Sequence, residues 1–184
     1  LAAAPAADGR SVAYWGDNIY YTSFGGGAGD RRYSVSANTW SSSLYNDHSN
    51  IRMAALDDGY LYAFLFSGGF SRVLMPGMAS WTGRTAAPYT PGILAPGGSG
   101  SIYSMKSDGG ADSDQLMKYS TGTNVWSVIP ASAPYITGAG SGMVYIDGEL
   151  YVTRGGNTAN FMKYSTALST WVVLANAPAA ITTS

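Results

Sequence analysis

Residues 119–126, YSTGTNVW, and residues 164–171, YSTALSTW, decide the fold. In each, a tyrosine stands seven positions before a tryptophan, and the same spacing occurs at residues 33–40, YSVSANTW. A fourth copy, LMPGMASW at 74–81, has Leu74 at that offset. The tryptophans Trp40, Trp81, Trp126 and Trp171 follow one another at intervals of 41, 45 and 45 residues. A fixed period of this length is the signature of a repeat architecture.

Working outward from each Tyr–Trp pair, two further elements recur in the same order. A glycine pair precedes it at Gly25 and Gly26, Gly68 and Gly69, Gly109 and Gly110, and Gly155 and Gly156. Before that lies an aliphatic–Tyr step: Ile19 and Tyr20, Leu61 and Tyr62, Ile102 and Tyr103, Leu150 and Tyr151. Turns such as GDNI at 16–19 and DGEL at 147–150 separate β-rich runs, and Gly, Asn and Asp tolerate the positive φ that two-residue hairpins require. The glycine pair permits a sharp strand exit and a close backbone approach. The Tyr and Trp are large enough to fill the gap between stacked sheets. Each repeat therefore reads as a four-stranded antiparallel sheet, and no run has the 3.6-residue period of a helix.

The expected strands are 10–15, 18–24, 30–35 and 39–44 in the first repeat and 50–56, 60–66, 70–75 and 80–84 in the second. They are 91–95, 100–106, 114–119 and 124–129 in the third, and 141–146, 149–154, 160–165 and 170–175 in the fourth. The four blades span about 1–44, 45–86, 87–130 and 131–184 of a single region, 1–184.

Composition narrows the function classes. The chain has 184 residues, 46% of them hydrophobic and 13% aromatic, enough for a sizeable core. Only 11% are charged, against roughly 25% in an ordinary domain. The formal net charge of −1 provides no basic field for a nucleic acid backbone or an anionic membrane surface. Apolar runs break within about ten residues, short of the roughly 20 that a membrane-spanning helix needs; neither nucleic acid nor membrane insertion is expected. With no cysteine, disulfides and sulfur-ligated metal sites are excluded. Low charge with abundant Ser, Thr, Gly and Tyr suggests a secreted or cell-surface protein. The start, LAAAPAAD, has neither an initiator Met nor a signal sequence and reads as a mature, trimmed or excerpted chain.

The order aliphatic–Tyr, Gly–Gly, then Tyr and six residues to Trp resembles the kelch repeat of β-propellers across nearly the whole chain. The resemblance implies an all-β, kelch-like β-propeller with one four-stranded blade per repeat and the first strand innermost. The Asp-box, another Trp-containing repeat, is excluded because none of the four Trp segments carries its Asp. Kelch propellers generally have six or seven blades and this chain supplies four. LAAAPAAD at 1–8 matches LANAPAAI at 174–181, so both ends stand at one phase of the repeat. Four blades closing alone, two chains closing an eight-bladed ring, and an excerpt of a longer array are the alternatives; the last two are favoured.

Catalytic chemistry finds little support. The single histidine, His48, sits in SLYNDHSN and reads as a solvated loop residue. The copper site of the kelch-type galactose oxidases needs a cysteine-linked tyrosine and histidine ligands, which this chain cannot supply alone. Asp108, Asp112 and Asp114 in SDGGADSDQ are calcium candidates without EF-hand spacing; otherwise no metal or cofactor is expected. FGGGAGD at 24–30 and APGGSGS at 95–101 lack the following helix that a phosphate loop requires and are assigned to blade turns.

In a kelch-like blade the loop from second to third strand and the loop to the next blade share a face, and such loops carry binding. The candidates there are Arg31, Arg32, Tyr45, Asp47, His48, Arg72, Tyr89, Tyr135, Arg154, Asn157 and Asn160, with Asn50 beside His48. APYTPG and APYITG make Tyr89 and Tyr135 equivalent. The favoured expectation is a non-catalytic extracellular binding or assembly module contacting protein or glycan. The alternative is a propeller enzyme on sugars, resembling the kelch-type sialic acid mutarotases or a glycosidase, with Arg154 or Arg31 holding a carboxylate. All four tryptophans are expected to be buried, the second blade to be weakest because of Leu74 and Pro76, and the chain to self-associate or meet neighbouring repeats near 1–8 and 172–184.

Overall fold

The computed structural model describes residues 9–23, 31–41, 50–65, 69–106 and 114–182. Among them are sixteen β-strands and no helix. The strands form four four-stranded antiparallel sheets, each made of strands consecutive in sequence. The chain divides into two compact units, Leu1–Ala86 and Ala87–Ser184.

The first unit holds β1 (Gly9–Trp15), β2 (Asn18–Ser23), β3 (Arg31–Ser34) and β4 (Thr39–Trp40), followed by β5 (Asn50–Ala55), β6 (Tyr60–Leu65), β7 (Phe70–Leu74) and β8 (Thr82–Gly83). The second holds β9 (Pro91–Gly97), β10 (Ser101–Lys106), β11 (Leu116–Ser120) and β12 (Val125–Ile129), followed by β13 (Gly142–Ile146), β14 (Glu149–Thr153), β15 (Phe161–Ser165) and β16 (Thr170–Val173). Outer strand β8 is shorter than the sequence implies, and residues 42–44 of the expected fourth strand lie outside the described residues.

The repeat elements meet in register. Ile19 pairs with Tyr33, Ile102 with Tyr119 and Leu150 with Tyr164, and each Tyr pairs in turn with its Trp. The Tyr and Trp ring centroids stand 5.1 Å apart in all three blades. In the second blade Leu61 pairs with Val73, so Val73 and not Leu74 holds the tyrosine position. Leu74 is 58% exposed.

The turn between third and fourth strands explains the discrepancy. Backbone N–H groups of Asn124, Ser169 and Met78 donate to the carbonyls of Ser120, Ser165 and Leu74, four residues back. Asn38, Met78, Asn124 and Ser169 all have φ between 47° and 58°. Trp follows two residues after this left-handed position in three blades but three residues after Met78, so the second copy carries one extra residue. Trp126 is buried, whereas Trp40, Trp81 and Trp171 are half-buried and not buried as expected.

Period-2 alternation builds a core between the sheets of each unit. In the first unit, Ala13 and Tyr20 meet Met53, Leu61, Ala63 and Val73, with Met75, Met78 and Trp81 completing the cluster. In the second, Tyr103, Met105 and Leu116 meet Leu150, Val152, Met162 and Tyr164. Each fully buried aliphatic side chain contributes roughly 1.5–3 kcal/mol. The Trp171 indole N–H donates to the Ala131 carbonyl at 3.1 Å, tying the outer strand of one sheet to the connection leaving the other.

Candidate functional site

The candidate site lies in the second unit, where the segment 130–141, leaving β12, meets the loop 154–160, leaving β14. Backbone bonds dock them: Gly138 N–H to Arg154 O at 2.8 Å and Gly156 N–H to Ala139 O at 2.7 Å. Gly155 has φ 68°, and a Cβ there would stand 2.5 Å from both Ala139 O and Ser141 N. Glycine is therefore required twice over, by conformation and by contact. Gly25, Gly26, Gly68, Gly109 and Gly110 lie outside the described residues.

Arg154 is fixed by its neighbours. Its Nε donates to Ile136 O at 3.2 Å and its Nη1 to Asn160 Oδ1 at 3.1 Å. The guanidinium carbon stands 5.6 Å from the Tyr135 ring centroid, within range of a cation–π attraction. Asn160 Nδ2 reaches Asn176 Oδ1 at 3.5 Å. Asn157 adopts φ 59°, and its N–H donates to Ile181 O at 3.1 Å. Ile181 N–H returns to Thr158 O, and Ala177 N–H donates to Ala159 O.

One blade earlier the motif repeats. Lys106, the residue that ends β10 as Arg154 follows β14, places Nζ 4.5 Å from the Tyr89 ring centroid. Its N–H donates to Gln115 O as that of Arg154 does to Asn160 O, and Ala133 N–H donates to Asp114 O as Ala177 N–H does to Ala159 O. The structure thus brings together Tyr135, Arg154 and Asn160, with Asn157 on the same loop, and gives Tyr89 a cation in Lys106. Lys106 and Asn176 were missed in sequence; aligning Lys106 with Arg154 after the second strand would have revealed the former.

The remaining candidates serve elsewhere. Arg31 and Arg32 lie on β3 and Arg72 on β7, on sheets and not on loops. Arg31 Nη1 donates to Ser41 O at 3.2 Å and Arg32 Nη1 to Pro76 O at 3.0 Å. The Arg72 guanidinium stacks 3.9 Å from the Tyr60 ring centroid and its Nη1 donates to Tyr62 Oη at 3.4 Å, while Tyr62 donates to Asp58 Oδ2 at 2.7 Å. Burial first, opposed by the Arg72 contact and then reinforced by Asp58, pushes the Tyr62 phenol up to about 12. The Tyr62 contact raises Arg72 in turn. Tyr45, Asp47, His48, Asp108 and Asp112 lie outside the described residues; Asn50 begins β5. Among the described residues no group of three potential metal ligands converges.

No family model and no curated protein sequence matches the chain. Solved structures do. A structural-genomics protein of unknown function from Bacteroides thetaiotaomicron superposes with TM-score 0.67 at 14% identity, over 90% of this chain and 43% of its own. The structure of U3-55K matches with TM-score 0.66 at 10% identity, over 94% of this chain and 53% of its own. The structure of YjhT matches with TM-score 0.55 at 16% identity, over 68% and 51%. The chain has a β-propeller fold. It spans about half the length of these structures, and at such identities the likeness is one of fold alone.

Proposed function

We propose that this β-propeller chain is a kelch-type, non-catalytic binding module of a secreted or cell-surface protein, and that the loop face of its second unit holds a carboxylate-bearing glycan. The observation that carries this reading is the recurrence of a cation over a tyrosine, Arg154 on Tyr135 and Lys106 on Tyr89, at equivalent places in consecutive blades. The kelch assignment rests on the aliphatic–Tyr, Gly–Gly and Tyr–Trp order. Tyrosine offers a flat apolar face with one polar atom, suited to a sugar ring. A guanidinium held by two hydrogen bonds keeps its charge in place without the entropy cost of ordering a free side chain. Low charge and abundant Ser and Thr support the extracellular assignment.

The test is glycan-array binding followed by calorimetry on acidic and neutral sugars. Acidic glycans are expected to bind, with at least tenfold loss in Arg154→Ala and in Tyr135→Ala. Binding confined to protein ligands would replace the glycan. Turnover of sialic acid anomers or aryl glycosides, abolished by Arg154→Ala, would replace the binding module with the sugar-enzyme alternative.

A further inference from the structure

The outward face of the last sheet, β13–β16, carries the row Val144, Tyr151, Lys163 and Val172, one residue from each strand in direct register. Val144 is 49% exposed, Val172 46%, and Ile146 in the next row 50%. The Tyr151 and Phe161 rings stack with centroids 6.1 Å apart. Lys163 pairs with Glu149 beside them, and Tyr151 Oη donates to Glu149 Oε2 at 3.3 Å.

The preceding sheet shows what this face is built to meet. By register, Tyr151 and Phe161 correspond to Tyr103 and Leu116. Those two are buried beneath Leu150, Val152, Met162 and Tyr164, on the opposite face of the last sheet. Part of this covering set recurs on the first sheet, where Ile19, Tyr33 and Trp40 stand in one row at the positions of Leu150, Tyr164 and Trp171, while the pair Tyr21 and Arg31 stands where Val152 and Met162 do. In that row Tyr14, paired with Ile19, is 66% exposed, and neighbouring Val12 is 62% exposed.

We propose that the outward face of β13–β16 is a docking surface for the Ile19–Tyr33–Trp40 face of β1–β4 in a second copy of this chain, repeating between molecules the contact made between the two sheets of the second unit. Exposed branched and aromatic side chains on two large sheet faces are uncommon in proteins that remain alone. A second copy is favoured over another partner because the row that would cover this face, Ile19, Tyr33 and Trp40, already stands in this sequence beside the exposed Tyr14. The contact is head-to-tail, with different surfaces on the two molecules.

Sedimentation of the purified chain tests it. At tens of micromolar, a mass of twice 19.2 kDa or a higher multiple is expected. Val144→Glu and Tyr14→Glu, both at exposed positions, should each give a monomer with unchanged circular dichroism and melting. Mixing the two variants should restore a heterodimer, since each retains the face the other has lost. A wild-type monomer at this concentration, whether or not it binds a foreign blade, would overturn the proposal, as would association that survives both substitutions or variants that fail to complement. Arg154→Ala should leave the mass unchanged, which separates this outcome from that of the loop face.

Discussion

The second and third blades close the turn between their last two strands with the same backbone hydrogen bond and fill it differently. In the third, Tyr119 pairs with Ile102, and its hydroxyl donates to Oδ1 of Asn124, the residue in the left-handed conformation, at 2.8 Å. The first blade repeats this with Tyr33 and Asn38, also at 2.8 Å. In the second, Val73 and Met78 occupy those two positions, and Met78 adopts φ 47° while almost fully buried. Asparagine enters this region at little cost because its short amide bonds locally; a long apolar side chain is there only when burial holds it. The third blade fixes its turn with a hydrogen bond, and the second with a buried thioether.

Removing the anchor gives the largest effect. Trp126→Ala should cost roughly 3–5 kcal/mol in urea unfolding, and Trp81→Ala less, because Trp81 is only half-buried and its buried indole Nε1 has no hydrogen-bond partner among the described residues. Equal losses would mean that the extra residue before Trp81 is energetically silent. Met78→Ala should follow at about 2–4 kcal/mol, since it removes a core side chain and retains the positive φ. If Met78→Gly is instead more stable than Met78→Ala by less than a few tenths of a kcal/mol, the conformation is not strained and the contrast between the turns loses its basis.

A smaller change separates the hydrogen-bonded turn from the packed one. Tyr119→Phe should cost about 1 kcal/mol, and a double-mutant cycle with Asn124→Gly should show the two residues coupled. The corresponding Val73→Ala and Met78→Ala cycle reads packing alone. Last comes a pH effect confined to alkali. The Tyr62 phenol is raised to about 12 from 10, so the folded chain keeps that proton where the unfolded chain has lost it. Its contribution is complete below pH 10 and drains away as pH rises toward 12. Tyr62→Phe should flatten the stability profile in that window and leave neutral pH nearly unaffected by titration.

Why the fold was legible follows from these turns. A Tyr, a left-handed residue and a Trp at fixed offsets leave a periodic trace, and the hairpin at Asp147 and Gly148, with φ 48° and 87°, is written in two letters. Counting back seven from Trp81 placed Leu74 at the tyrosine position because the count assumes a rigid spacing. Only the pairing of Leu61 with Val73 shows where the extra residue went. The loop site was legible one side chain at a time: Tyr135 and Arg154 each stood out, but their meeting depends on a close approach at Gly155 that no local pattern encodes. Arg72 misled because a charged residue in a strand can lie along the sheet over an aromatic ring, its stem packed and its head hydrogen-bonded.

The backbone ties between residues 157–159 and 177–181 have a consequence for exchange with solvent deuterium. Asn157, Ala177 and Ile181 each donate an amide hydrogen across the gap between the Arg154 loop and the tail. Neither segment can open its share without freeing the other, so the three amides should exchange at a common rate, as one cooperative unit. A shortened tail ending before Ala177 would release Asn157 with it, and the loop that carries Arg154 would then sample conformations in which the guanidinium no longer waits above Tyr135.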